Sequence, residues 1–393
     1  MLKLCVVLAF SIILFCVDAV DLEKRLECAK SSGCKFDTNR LAFFLIGDAG
    51  GCPFRQTTEP QLKVAESMSE LHKSDPVDFI INLGDNFYAD GVADVKDPRF
   101  QTMFENPYMK LDVPWYVIAG NHDYLGNVKA QIDYTKLSGK WTFPNYNYTL
   151  VIKFGNPEIK VVFIMTDSVR FCDPFMKLDV FTKLVQALQE KANVPESYKQ
   201  AESEVSSWIL SELEKHRDAD YLFVTGHYPI YSGGYYKPSS CMINSIEDKL
   251  ADYLFVTGHY PIYSGGYTKP SSCMINSIED KLYEYNVTAY LSGHDHNLQH
   301  IMGSKNDKAL HHVISGAGSR GDMSYDNEFR IDHNVVKFKF PVHGVHMDLF
   351  GLVNEGGFIK AEIDSEFVNF SFFDQSSVKH YDFKIPKRTK NDL

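Results

Sequence analysis

Beyond its opening residues the 393-residue chain has no apolar run approaching the roughly 20 residues a membrane-spanning helix needs, so no internal span is expected. It also lacks an excess of positive charge. Its 40 Lys and Arg face 51 Asp and Glu, a net charge of −11, which argues against a nucleic-acid partner because such proteins are usually basic. Eight cysteines are too few for a disulfide scaffold in a chain this long and read as local staples. The polar end, residues 387–393, carries no lipid-anchor tail and no retention signal. Core material is plentiful: 28 Phe, 22 Tyr and 44% hydrophobic content against 23% charged exclude disorder, collagen and coiled coil as descriptions of the whole.

The chain opens with Lys3, an apolar run over 4–17 and the small residues Val17 and Ala19 at the spacing a signal peptidase reads. This is the pattern of a secretory signal peptide, residues 1–19, followed by an N-terminal extension over 20–40. Cleavage would leave Cys28, Cys34, Cys52, Cys172, Cys241 and Cys273 in an oxidising compartment, and the short loop between Cys28 and Cys34 suits a bridge. Sequons at Asn147, Asn286 and Asn369 agree with secretion.

Residues 219–250 and 251–282 are a tandem duplication of 32 residues that differ only at Tyr236 and Thr268. Solenoid repeats drift and come in threes or more, so this is a recent event. It is an exon-scale duplication or an error in gene assembly, the error being favoured. A fold that needs the unit once must loop out 32 residues.

Short apolar runs with strand character end repeatedly in Gly-Asp, Gly-Asn or Gly-His steps: 41–46, 79–83, 115–119, 253–256 and 288–291, with 161–165 similar. Helical patterns over 61–72, 202–216 and 274–283 lie between them. This alternation predicts an α/β fold, a two-sheet βαβ sandwich flanked by helices. Alternating runs at 358–363, 367–372 and 381–385 predict antiparallel strands closing the same catalytic domain, which spans 41–387, with a polar tail over 388–393.

Functional groups gather at the carboxyl ends of strands in such sheets. Five strand ends present Asp48, Asp85 with Tyr88, Asn121 with His122, His259 or its twin His227, and His294 with His296. One Gly-Asp or Gly-His alone means little. Two carboxylates, an asparagine oxygen, a phenol and three imidazoles on one rim are seven candidate ligands, enough for two metals sharing one carboxylate, with Asp85 the natural bridge. Oxygen and nitrogen donors without thiolate favour iron, manganese or zinc, and a tyrosinate suits Fe(III). Two such metals can bind a phosphate ester, generate hydroxide at low pH and stabilise an in-line displacement.

The blocks Gly47-Asp48-Ala49-Gly50, Gly84-Asp85-Asn86-Phe87-Tyr88, Gly120-Asn121-His122-Asp123, Gly258-His259-Tyr260-Pro261 and Gly293-His294-Asp295-His296 resemble the signature of purple acid phosphatases of the small animal, tartrate-resistant type. The resemblance runs from about residue 41 to 387. It implies an acid phosphatase of the metallophosphoesterase fold. Asp48, Tyr88 and His296 would hold Fe(III). Asn121, the Gly-His-Tyr-Pro histidine and His294 would hold divalent Fe, Zn or Mn, Asp85 would bridge, and His122 would sit by the substrate phosphate. Substrates would be small-molecule or protein phosphomonoesters, and the destination secreted or lysosomal. The resemblance also implies a disulfide from Cys172 to Cys273 or its twin Cys241.

Gly50 stands where related metallophosphoesterases carry a histidine, which argues against a sphingomyelinase, nucleotidase or ordinary Ser/Thr protein phosphatase. Two departures matter. Ala49 replaces a frequent tryptophan. Tyr267-Thr268, or Tyr235-Tyr236 in the first copy, replaces a Glu-His pair thought to protonate the leaving group, which implies slower turnover or a preference for good leaving groups. Of the twins, upstream spacing favours His227 and downstream spacing His259, 35 residues before His294. Topology tips the expectation to His259, because the excess would then emerge away from the metals. The competing function is a non-catalytic binding or scaffold protein on the same fold; retention of every ligand type favours the enzyme.

Overall fold

The computed structural model describes residues 3–6, 15–51, 57–172, 196–230, 278–322, 335–341, 352–353 and 355–389. Fifteen of the described strands build two sheets: β1 Cys34–Phe36, β2 Leu41–Ile46, β3 Phe79–Asn82, β4 Trp115–Val117, β5 Trp141–Thr142, β6 Tyr148–Phe154, β7 Ile159–Met165, β8 Tyr221–Gly226, β9 Ala289–Ser292, β10 Leu298–Lys305, β11 Lys308–Ser315, β12 Val336–Phe340, β13 Gly357–Ile363, β14 Phe367–Asp374 and β15 Lys379–Pro386. The first sheet runs β15-β14-β13-β2-β3-β4-β5 and the second β12-β10-β11-β9-β8-β7-β6-β1. Within them β2 to β5 are parallel, as are β7, β8, β9 and β11. The C-terminal β13, β14 and β15 add to β2 as an antiparallel meander.

Of the parallel strands, β2, β3, β4, β7 and β9 fall on the apolar runs the sequence marks; β5, β8 and β11 do not, and the run over 253–256 lies outside the described residues. Every residue of Leu41–Ile46 and of Phe79–Asn82 is buried, as expected of strands covered on both faces. The sheets meet through an aromatic stack. Phe43 and Phe79 of the first sheet lie parallel at 5.0 Å, Phe163 of the second sheet meets Phe43 edge-on at 5.2 Å, and Phe223 stacks on Phe163 at 4.9 Å.

Helices α1 Ala19–Glu27, α2 Glu59–Ser74, α3 Val128–Tyr134, α4 Ser168–Cys172, α5 Glu196–Lys215 and α6 Asp280–Glu284 complete the described framework. The Thr58 hydroxyl caps α2 by accepting from the Gln61 amide at 3.1 Å, with Pro60 in the first turn where its missing N–H costs nothing. Residues 20–40 are more than an appendage. Arg25 of α1 is buried and donates to the Trp141 and Ser138 carbonyls, each at 2.8 Å, and Cys28 and Cys34 form a disulfide. Arg388, the first residue of the expected polar tail, is buried and donates to the Ala219 and Tyr285 carbonyls at 2.7 Å. Among the described residues no helix is long and apolar enough to cross a membrane.

The two copies of the duplication contribute different parts. The first supplies β8, paired in parallel with β7 and β9. The second supplies residues 280–282, the first three of α6, which leads into β9. Residues 231–277, which join them, lie outside the described residues, His259 among them. The expectation that the second copy provides the strand and its histidine is therefore corrected. The physical reason is connectivity: α5 ends at Lys215, the first copy follows it directly, and the Asp220 amide donates to the Lys160 carbonyl at 2.9 Å where β8 enters beside β7. These contacts seat the first copy beside β7.

One polar cluster in the sheet interface bears on acid stability. His300 of β10 stacks on Phe383 of β15 at 3.5 Å, and its ring nitrogens lie 3.0 Å from Tyr381 Oη and His311 Nδ1. Burial, reinforced by His311 and His312 nearby, pushes His300 down to about 3, and burial pushes His311 down to about 4. Both imidazoles take up protons more readily unfolded, at about 6.5, than folded. Their contribution is thus fully present above pH 6.5 and is lost as pH falls toward 4 and below. Urea unfolding midpoints should fall steadily from pH 7 to pH 4, and His300→Gln/His311→Gln should flatten that slope. An unchanged slope in the double variant would refute the assignment.

Candidate metal centre

Each donor is delivered by a strand end. Asp48 follows β2 through Gly47, Asp85 follows β3 through Gly84, and Asn121 and His122 follow β4 through Gly120. His227 is the residue after β8, while His294 and His296 follow β9 through Gly293. Asp48, Asp85 and His294 all adopt the left-handed backbone, with φ of 56°, 53° and 69°. Such conformations are sparsely populated in non-glycine residues and cluster at functional sites.

Hydrogen bonds hold these turns. The Asp48 amide donates to the Gly84 carbonyl at 2.9 Å, the His294 amide to Asp48 Oδ2 at 2.7 Å, and the His122 amide to Asp85 Oδ1 at 2.8 Å. Gly120 is required by close approach: a Cβ there would stand 2.3 Å from Asp85 Oδ1. Gly50 is equally constrained, because a Cβ would meet the Phe87 amide nitrogen at 2.6 Å. The loop carrying Tyr88 fills the space that a side chain at position 50 would need.

The donors fall into two groups around the buried Asp85. In the first, Tyr88 Oη donates to Asp48 Oδ1 at 2.8 Å, and His296 Nε2 lies 3.1 Å from Tyr88 Oη and 3.4 Å from Asp48 Oδ1. In the second, His227 Nε2 lies 3.0 Å from Asn121 Oδ1 and 3.5 Å from Asp85 Oδ1, and the His294 ring centre is 5.1 Å from that of His227. Asp48, Asp85 and His227 each offer a ligand atom within 4.8 Å of the others. His122 stands at the edge of both groups, its ring 4.5 Å from that of Tyr88 and its Nε2 4.0 Å from Asp85 Oδ2.

The electrostatics suit a cation. Burial drives the Asp48 carboxyl upward, and the Asp85 charge adds to it. Burial alone would lower His227, but Asp85, Asp48 and the Leu83 carbonyl outweigh it and push the imidazole up to about 9. His294 and His296 are held well below the ordinary histidine value, first by burial and then by His227 and Arg320 respectively. Burial also takes His122 down to about 4. His227 Nδ1–H donates to the Leu83 carbonyl at 2.9 Å, which turns Nε2 toward two oxygen acceptors. Three lone-pair carriers converge there. In the protein alone a proton on Nε2 satisfies them, and a metal ion can take that place.

Some supporting residues carry little sequence signal. Asp123 accepts from the Gly120 amide and Gln131 Nε2, both at 2.8 Å, and from the Asn86 amide, tying the loops of Asp85 and Asn121 together. It sits inside a recognised block, yet nothing in the block separates a loop organiser from a ligand. Arg320 Nε donates to His296 Nδ1 at 3.1 Å across a 24-residue separation, beyond any local pattern. Of the expected modification sites, Asn147 is half-buried and its Oδ1 accepts from the Asp167 amide, Asn286 sits in the turn before β9, and Asn369 lies within β14. Cys172 ends α4, but its side chain, with Cys52, Cys241 and Cys273, lies outside the described residues.

The calcineurin-like phosphoesterase family profile matches residues 42–248, and the chain belongs to that family. It is 31% identical over 357 residues to human (Homo sapiens) tartrate-resistant acid phosphatase type 5, covering 90% of this chain and 93% of the relative. It is 30% identical over 317 residues to purple acid phosphatase 7 of Arabidopsis thaliana, covering 80% of each. Within the family it is thus an enzyme of the acid phosphatase class, of the purple acid phosphatase type. Among solved structures, GAP50, the anchor in the inner membrane complex of Plasmodium, shares the fold with a TM-score of 0.65 at 22% identity over 91% of both chains.

The twin histidines separate the strand assignment cleanly. His227→Ala should lose metal and activity, and His259→Ala should keep both. Loss confined to His259→Ala would overturn the placement of β8, measured by bound metal and by phosphatase rate.

Proposed function

We propose that the chain is a secreted dinuclear-metal acid phosphatase acting on phosphomonoesters. The observation that carries this reading is the pair of buried donor groups meeting at Asp85. Asp48, Tyr88 and His296 would hold Fe(III), and Asn121, His227 and His294 divalent iron, zinc or manganese, with Asp85 between them. The hard anionic oxygens of the first group and the neutral amide and imidazoles of the second are what such a division of charge requires. Ions held there supply Lewis acidity toward phosphoryl oxygens and lower the pKa of water.

The chain's own residues do the rest. His122, with Nδ1–H donated to the Ala89 carbonyl, presents Nε2 beside Asp85, where a phosphate ester would lie across the two groups. Arg320 adds a fixed positive charge next to His296. Positions 235–236 and 267–268, which lack the Glu-His pair, lie outside the described residues, so the expectation of a preference for good leaving groups stands as part of this proposal. Secretion is supported by the apolar N-terminal pattern and by the Cys28–Cys34 bridge, which belongs to an oxidising compartment.

Protein expressed through a secretory host should carry two metal ions per chain, show a tyrosinate–iron band in the visible, and hydrolyse an aryl phosphate near pH 5. Asp85→Ala should reduce the rate by more than the ~10–100-fold typical of losing a supporting residue. Tyr88→Phe should bleach the band while leaving the fold intact. Near-normal turnover in Asp85→Ala, or a retained band in Tyr88→Phe, would refute the ligand assignment.

A further inference from the structure

Arg320 occupies a position that packing alone does not explain. It lies in the turn after β11, and that turn is fastened to the first donor group. Ser319 Oγ donates to the Asp48 carbonyl at 2.6 Å, and the Gly318 amide donates to the Gly47 carbonyl at 3.1 Å. The arginine is only 5% exposed. Its Nε–H donates to His296 Nδ1 at 3.1 Å, and its guanidinium carbon lies 4.3 Å from the centre of the Tyr88 ring. It therefore touches two of the three side chains in the Asp48–Tyr88–His296 group.

A buried cation is costly unless charge or geometry rewards it. Beside a metal site it also repels the ion. Simple space-filling would be served better by an apolar side chain of the same length. The contacts made suggest the return. A planar guanidinium can lie flat on a phenol ring and donate from its edge at the same time, which an ammonium cannot. The imidazole plane and the phenol plane are thereby fixed relative to each other, with His296 Nε2 and Tyr88 Oη 3.1 Å apart.

We propose that Arg320 is a positioning residue for this donor group: it locks the His296 and Tyr88 rings so that Nε2 and Oη converge on one point, and its charge rests on the face of the Tyr88 ring. The identity of the occupant rests on the dinuclear reading above. A positive charge against the ring stabilises a phenolate donor, so it raises the energy of the phenolate-to-iron absorption. Orienting contacts of this kind are typically worth ~10–100-fold in metal affinity.

The test uses the full-length secreted protein with Fe(III) as the probe, comparing wild type with Arg320→Met and Arg320→Lys. Bound iron, its release to excess chelator and the visible band are followed, with thermal melts to confirm folding. Arg320→Met should release iron roughly 10–100-fold faster and show its band at longer wavelength. Arg320→Lys keeps the charge without the flat donor edge, so it should hold the band nearer wild type while still releasing iron faster. Should Arg320→Met fail to fold, Arg320→Lys decides: wild-type iron retention in that variant would overturn the proposal. So would a folded Arg320→Met with unchanged band and retention. Wild-type protein that takes up no iron would instead bring down the metal reading, and this inference with it.

Discussion

Two carboxylates buried side by side repel each other and forgo hydration, and Asp48 and Asp85 stand in that relation at the ends of adjacent parallel strands. Most of the local architecture follows from keeping both there. The left-handed backbone at each residue turns its carboxylate inward, and amides of His294 and His122 donate to the oxygens. The imidazole of His227 supplies the compensating charge, driven upward by the same pair. A cation-binding site is the cheapest resolution of this arrangement, since a metal ion satisfies both carboxylates and frees the imidazole proton.

The rim that carries this chemistry depends on the sheet order. Parallel strands β2, β3 and β4 in one sheet and β8 and β9 in the other bring their carboxyl ends to one rim, where the donors of both sheets meet. The aromatic stack of Phe43, Phe79, Phe163 and Phe223 fixes the two sheets against each other. The meander of β13 to β15 extends the first sheet beyond β2 without adding a donor to the rim. Stability and function thus occupy different ends of the same strands.

Much of this was legible in the residues. Unbroken apolar runs ending in Gly-Asp, Gly-Asn and Gly-His identified β2, β3, β4 and β9, because strands covered on both faces leave no polar alternation to confuse with helix. Asp48, Asp85, Tyr88, Asn121, His294 and His296 were named from spacing and resemblance, and the structure brings them to one place. Arg320 and Asp123 were not distinguished, since their roles arise from contacts across the fold rather than from neighbours in sequence. The buried Arg388 and Arg25 were hidden for the same reason: a charged residue in a polar stretch looks solvated until its carbonyl partners are known.

The duplication shows where sequence arguments of this kind stop. Identical neighbours made His227 and His259 chemically indistinguishable, and spacing pointed both ways. What separates them is connection: the first copy follows α5 within a few residues, and its strand pairs with β7 and β9. α6, which begins in the second copy and runs past its end, is anchored independently, with Leu282 and Tyr283 buried against the second sheet and the Arg388 guanidinium donating to the Tyr285 carbonyl. The residues between these two anchored ends, 231–277, hold the rest of both copies and lie outside the described residues. Loop-closure entropy rises slowly with length, so a surplus of 32 residues need not cost a fold much. The donors described above need none of those residues: each stands at a strand end, and His227 is the residue directly after β8.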